Sequence, residues 1–204
     1  PDLPGSSGHI HQSLWDAHAK TNLFATAATD RLSETGLHYL GGLVTLAPEL
    51  TAIYSPFVNS YKRYVPGLWA PLNASWGVEN RTCGSRVILG PGQSAARIEL
   101  RQTGADINPY VAMAACLGSG LHGIENEIAP PPESTGDATA ASDPSLALPL
   151  TLESAVDALR NSEAARSVLG EAFVDHYVRT RDWECREYNR SVSEWELRRY
   201  FEAV

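Results

Sequence analysis

The sequence predicts an α+β fold: a mainly antiparallel curved sheet, with helices packed outside it and a helical C-terminus. Two observations carry this class. Period-two alternation marks short strands near residue 10 and between residues 70 and 102, most clearly in Arg97-Ile98-Glu99-Leu100-Arg101. Helical periodicity with cap residues occupies 33–54, 108–128 and most of the last sixty residues.

Taken in order, Gly8-His9-Ile10-His11-Gln12-Ser13 reads as the first strand. It follows a polar loop, Gly5-Ser6-Ser7-Gly8, whose backbone can come close to a ligand. From Ser33 to about Tyr54, Leu37, Leu40, Val44, Leu46, Leu50 and Ile53 describe a helix packed on a sheet, interrupted or ended near Pro48. Gly41-Gly42 inside it allows close backbone packing. The segment Asn59 to Gly67 ends in a Pro-Gly turn. Three or four strands are expected next: Ala70 to Trp76, then Cys83 to Leu89 after Glu79-Asn80-Arg81-Thr82, and residues 97–101. Asn108 caps and Pro109 opens a helix expected to reach about Ile128. Its Ala- and Gly-rich face implies tight packing, and His122 on it is read as structural. Residues 129–148, rich in Pro, Ser, Ala and Asp, read as a flexible loop. Thr151 caps a helix through Val156 and Leu159, and a second runs from Glu171 to about Tyr188 with Phe173, Val174 and Tyr177 on one side. Ser193-Glu194-Trp195-Glu196 forms a capping box for a final helix to Ala203. The charges from Arg179 to Glu187 read as a solvated or intersubunit face.

The strand patterns also place chemistry. Arg97, Glu99 and Arg101 share one strand face, and Ile98 and Leu100 take the other. A carboxylate framed by two guanidiniums can hold a metal ion and a small anion together, or it can be the salt-bridged, solvated face of an edge strand. His9, His11 and Ser13 line one face of the first strand. Such a His-x-His pair can hold a metal or a phosphate, or serve as ordinary polar-face histidines. Arg63, Arg81, Arg86, Arg97 and Arg101 put five arginines within forty residues of an otherwise acidic chain of net charge −8. A basic cluster in an acidic protein points to a local site for phosphates or a carboxylate, and away from a nucleic-acid surface.

The chain resembles the catalytic domain of glutamine synthetases. Five stretches carry the resemblance in the family's order: Gly-His-Ile-His-Gln-Ser, Asn-Ser-Tyr-Lys-Arg-Tyr-Val-Pro-Gly, Glu-Asn-Arg-Thr, Arg-Ile-Glu-Leu-Arg and Ala-Asp-Ile-Asn-Pro-Tyr. The resemblance runs from residue 5 to the C-terminus. It implies an ATP-dependent carbon–nitrogen ligase: ATP phosphorylates the γ-carboxylate of glutamate, and an amine displaces the phosphate. It implies His9 and Glu99 as ligands of a Mg²⁺ or Mn²⁺ beside the phosphates, and His11 and Ser13 as nucleotide contacts. Gly5 falls where backbone meets glutamate, and Arg63 matches a glutamate-carboxylate arginine. Arg81 and Arg86 match arginines facing the phosphates, and Arg101 one facing the substrate carboxylate or acyl phosphate. Arg81 and Arg101 are thus the catalytic candidates, and both also belong to the substrate set. The resemblance further implies a homo-oligomer of stacked rings with active sites between subunits.

The sequence departs from the family pattern at three places. Pro4 replaces an Asn that helps to hold glutamate. Ser94 stands near the position of a lysine that meets ATP. Trp69, in Pro66-Gly67-Leu68-Trp69-Ala70-Pro71, stands where the family has a Glu on a flap that binds and deprotonates ammonium. An indole has no basic site, but it can make an apolar wall or a cation–π platform. Trp69 therefore joins the substrate set, and the sequence resembles the branch that joins glutamate to polyamines or other amines. An ammonia-using glutamine synthetase and a catalytically silent relative are the other readings. Retention of His9, Glu99 and five arginines speaks against the silent one, since unpaired buried charges cost several kcal/mol.

The 204 residues suit one domain, and a 43% hydrophobic content supports a core. The resemblance implies that residues 1–204 are the C-terminal part of one catalytic domain, inactive alone, without the N-terminal sheet domain and the first half of the catalytic domain. No apolar run approaches the ~18 residues of a membrane span. Cys83, Cys116 and Cys185 are few and widely spaced, which fits free thiols in a reducing cytoplasm.

Overall fold

The computed structural model describes residues 5–28, 30–140 and 143–203. Its sheet has four strands: β1 (Ile10–Gln12), β2 (Trp76–Val78), β3 (Ser85–Ile88) and β4 (Arg97–Leu100). They lie in the order β1-β4-β3-β2. β4 is antiparallel to both neighbours, which makes the sheet mainly antiparallel, while β2 and β3 are parallel. Parallel neighbours ordinarily need a crossover of about a dozen residues. Here residues 79–84 suffice, because β2 spans only ~10 Å at ~3.3 Å per residue. Glu79 takes a left-handed φ of 51° as the chain reverses.

The strand expected from Ala70 to Trp76 is corrected: it begins only at Trp76. Pro71 has no N–H to give to a ladder. Further along, Asn73 Nδ2 donates to the Ala138 carbonyl at 2.8 Å and its Oδ1 accepts the Ser75 N–H at 3.2 Å. The Ala74 N–H goes to Leu146 O at 2.7 Å. This stretch thus pairs with the segment after residue 137 and stays out of the sheet. Residues 129–140 contain no strand but are fastened along β2. Trp76 Nε1 donates to Pro131 O at 2.6 Å, Ser134 N to Trp76 O at 2.9 Å, and Val78 N to Glu133 Oε1 at 2.8 Å.

Among the described residues seven α-helices accompany the sheet. Ser33 caps α1 (Glu34–Leu46) by accepting the Gly36 N–H at 3.0 Å. The break at Pro48 separates α1 from α2 (Thr51–Tyr54). Asn108 caps α3 (Pro109–Glu125) through the Tyr110 and Val111 amides, and the helix stops three residues before Ile128. α1 and α3 meet backbone to backbone at glycines. A Cβ on Gly42 would collide with the Ser119 carbonyl, and one on Gly123 with the His38 carbonyl. Thr151 caps α4 (Leu152–Asn161), and Ser162 then caps a short α5 (Glu163–Leu169) that the sequence reading missed. Gly170, at φ 87°, separates α5 from α6 (Glu171–Arg190). Ser193 and Glu196 form the expected capping box of α7 (Glu194–Tyr200).

The core joins these layers. Val87, Ile98 and Leu100 leave the sheet toward Tyr39, Leu40, Leu43 and Val44 of α1. The sheet's other face carries Arg86 and Glu99, so one register sets both the core and the polar face.

Candidate active site

Strand register creates the centre of the polar face. His11 of β1, Glu99 of β4 and Arg86 of β3 are direct cross-strand partners. Arg97 and Arg101 flank Glu99 along β4. Because β4 is an inner strand, Glu99 is only 3% exposed, which rules out the solvated edge-strand reading. Its Oε1 accepts from Arg101 Nη1 at 3.0 Å and lies 2.8 Å from His9 Nδ1 and 3.8 Å from His11 Nε2. Its Oε2 accepts from Arg86 Nη1 at 3.3 Å. Burial works to raise the Glu99 pKa. The Arg101 guanidinium, His9, His11 and Arg86 outweigh it and hold the carboxyl below its usual range. Burial, then Arg101, lower the His9 pKa from its ordinary value, and Glu99 works in the opposite direction.

The arginines come from different elements. Arg63 ends a 3-10 helix, Val58–Arg63, and is 5% exposed. Its Nη1 donates to Ser7 Oγ at 3.1 Å, and its Nη2 donates to the Gln102 carbonyl beside Arg101. Its Cζ sits 4.9 Å from the centre of the Tyr64 ring. Gly5 lies against this side chain, with room for a Cβ only 3.2 Å from Arg63 Cβ. The Nε atoms of both Arg63 and Arg101 are buried without a partner. Both guanidiniums thus bring buried positive charge to this part of the site.

A groove of about 740 Å³ opens next to Arg86. Trp69, Glu79, Arg81 and Arg86 line it, with residues 133–136 as its far wall. Arg86 Nε donates to Glu79 Oε2 at 3.0 Å, so this arginine bridges Glu79 and Glu99. Trp69 is 71% exposed at the edge of this groove.

The structure therefore gathers His9, His11, Arg86, Glu99 and Arg101 into one charge cluster. Gly5 and Arg63 join it through Gln102, and Arg81 and Trp69 join it through the groove. Ser13 stands apart, its hydroxyl accepting from Trp15 Nε1 at 3.0 Å. Ser94 is exposed in a 3-10 turn, and Pro4 lies outside the described residues. Sequence reasoning passed over Glu79, Tyr64 and Gln102. Glu79 and Tyr64 fall inside the quoted motifs, and Gln102 follows Arg101 directly. Glu79 reaches Arg86 across 7 residues, the Gln102 carbonyl accepts from Arg63 across 39, and the Tyr64 hydroxyl donates to that same carbonyl across 38, which no local pattern shows.

A divalent cation is tested by the donor set. His9 and Glu99 offer one imidazole and one carboxylate, with His9 Nδ1 2.8 Å from Glu99 Oε1. Among the described residues no three His, Cys, Asp or Glu side chains gather to close a shell. A divalent ion held by these two groups would take the rest of its shell from water and phosphate oxygens.

A family profile described as glutamine synthetase, catalytic domain, matches residues 1–200. The chain belongs to the glutamine synthetase family. Family members use ATP and divalent metal ions, and bind glutamate and an amine or ammonia. The chain is 47% identical over 203 residues to a glutamate–isopropylamine ligase of a Pseudomonas species, covering 98% of this chain and 44% of that protein. It is 39% identical to the γ-glutamylethanolamide synthetase GlnA4 of Streptomyces coelicolor, covering 100% and 42%. The solved structure of GmaS without ligand superposes with a TM-score of 0.86 at 35% identity, over 98% of this chain and 46% of that one. The chain thus spans a little under half the length of the relatives it matches. No helix among the described residues is long and apolar enough to cross a membrane.

Proposed function

We propose that the protein is an ATP-dependent ligase that joins the γ-carboxylate of glutamate to an organic amine by way of γ-glutamyl phosphate. The reading rests most on the buried Glu99, ringed by His9, Arg86 and Arg101 and continuous with the groove of Trp69 and Arg81. A carboxylate ligand, phosphate-facing guanidiniums and an indole at the nucleophile's entrance are the parts such a reaction needs. The likeness to two ligases named for organic amines supports the choice of nucleophile.

In this reading the Arg63 and Arg101 guanidiniums offset the charge of glutamate, and Gly5 lets the substrate approach Arg63. Arg81 and Arg86 offset the charge that develops on the phosphoryl group as it leaves ATP. His11 and Ser13 contact the nucleotide. Mg²⁺ or Mn²⁺, held in part by His9 and Glu99, supplies charge neutralisation at the phosphates. Arg101 then faces the acyl phosphate. Trp69 packs against the carbon skeleton of the amine or its cationic head and keeps water from the acyl phosphate. The active unit is a homo-oligomer with sites between subunits. Three free cysteines support a cytoplasmic setting.

Phosphate release by the complete protein with ATP, Mg²⁺ and glutamate tests the reading. Turnover with mono-, di- or polyamines is expected to exceed turnover with ammonium well beyond tenfold at equal concentration. Trp69→Glu should move that ratio toward ammonium. An unchanged ratio removes Trp69 from the nucleophile's site. A second reading, glutamine synthetase using ammonia, is favoured by relatives of that name at 35–39% identity. Turnover with ammonium alone would select it.

A further inference from the structure

We propose that Glu79 takes a proton from the incoming amine. The inference deepens the ligase reading and rests on it. An alkylamine is an ammonium ion near neutral pH, with a pKa of roughly 10. Its nitrogen has no lone pair to attack with until a proton leaves. The indole of Trp69 has no basic site, so another residue of the groove must accept that proton.

Two carboxylates line the groove, Glu79 and Glu133, together with Arg81 and Arg86. Glu133 belongs to the segment fastened along β2, and its Oε1 is taken by the Val78 N–H at 2.8 Å. It makes no bond to the charge cluster among the described residues. Glu79 differs on both counts. Its Oε2 accepts from Arg86 Nε at 3.0 Å and from Arg86 Nη2, and Arg86 Nη1 reaches on to Glu99 Oε2 at 3.3 Å. One guanidinium therefore separates Glu79 from the centre of the site. Its Oε1 has no hydrogen-bond partner among the described residues. The side chain is 49% exposed, so a ligand in the groove can reach it.

The backbone adds an independent observation. Glu79 holds a φ of 51°, in the left-handed region where glycine is the easier choice. The reversal after β2 gains nothing from a side chain at this point. The carboxylate is used by Arg86 and by the groove.

The step balances as follows. The ammonium gives one proton to Glu79 Oε1. The freed lone pair forms the C–N bond at the γ-carbon of γ-glutamyl phosphate. The C–O bond to phosphate breaks with its electron pair going to phosphate, which takes the second nitrogen proton and leaves as HPO₄²⁻. Cover from Trp69 helps the first transfer, because exclusion of water disfavours an ammonium beside a carboxylate relative to the neutral pair.

The test compares two nucleophiles on the complete protein with ATP, Mg²⁺ and glutamate, by phosphate release at neutral pH. n-Propylamine is protonated there and needs a base. Hydroxylamine is largely unprotonated and loses its single proton to the leaving phosphate. Glu79→Gln keeps an oxygen for Arg86 and should lower turnover with n-propylamine by about a hundredfold or more, while turnover with hydroxylamine keeps most of its wild-type value. An equal loss with both nucleophiles would show that Glu79 acts only by positioning Arg86, and would overturn the proposal. So would an unchanged rate with n-propylamine, or the same split appearing in Glu133→Gln in place of Glu79→Gln. A wild-type protein that releases phosphate with neither nucleophile would overturn the ligase reading itself, and this inference with it.

Discussion

At the residue scale, Glu99 concentrates the site. It sits in an inner strand, accepts from two arginines and faces two histidines, and its burial makes each of these contacts consequential. Glu99→Gln in the complete protein should weaken Mn²⁺ binding at least tenfold, read by calorimetry, while the fold survives because the amide keeps its shape. Unchanged Mn²⁺ affinity would remove Glu99 from the metal. Arg63→Lys should raise the glutamate KM by more than tenfold and leave the KM for ATP nearly unmoved, since an ammonium cannot reproduce the forked contacts to Ser7 and Gln102. An equal rise in both would place Arg63 outside the glutamate pocket. Most of this site was legible locally. Alternation alone put His9, His11 and Glu99 on polar faces, and resemblance assigned them. The support under them was not legible: Gln102 against Arg63 and Glu79 beyond Arg86 are contacts made by folding, and only distance reveals them.

At the element scale, the helices were read well because their ends are chemically marked. Asn108, Thr151 and Ser193 each cap the helix the sequence assigned to them, and Ser33 proves to cap the helix read from that residue onward. α5 escaped because seven residues between two caps give too few turns for a periodic signal. The strand from Ala70 failed because an apolar run says nothing about which backbone will accept its N–H groups. Asn73 and the segment after residue 137 take that part. The glycine contact between α1 and α3 gives a stability prediction. Gly42→Ala should cost more than about 3 kcal/mol, the upper end of ordinary overpacking, because the atoms it meets are backbone, seen as a lower denaturation midpoint with an unchanged slope. Gly136→Ala meets nothing within 4 Å, and its cost should come only from the positive φ of 83°, at ~1–2 kcal/mol. If Gly42→Ala proves as mild as Gly136→Ala, the two helices do not depend on that close approach.

At the scale of the whole molecule, the chain shows a face that its own residues leave uncovered. Tyr110, Met113, Leu117 and Leu121 fall at spacings of three, four and four along α3, and all are exposed. A contiguous apolar stripe of this kind is rare on a monomer surface. Residues 1–204 produced alone should therefore self-associate at micromolar concentration, and Met113→Lys with Leu117→Lys should abolish this in sedimentation velocity. A monodisperse wild-type chain would show the stripe to be innocuous.

The strand order has a consequence for where metal chemistry is completed. Among the described residues nothing pairs with the outer side of β1, so His11 stands at the rim of the sheet. Any strand laid along that rim would bring its own side chains into the row that already holds His11, Glu99 and Arg86, one pleat-width of ~4.8 Å away. An acidic residue delivered there would face the same point as His9 and Glu99. On the proposed placement of the cation, its remaining coordination would come by lateral extension: the ion would be shared across a seam between two pieces of backbone, and joining the seam and loading the ion would be one event.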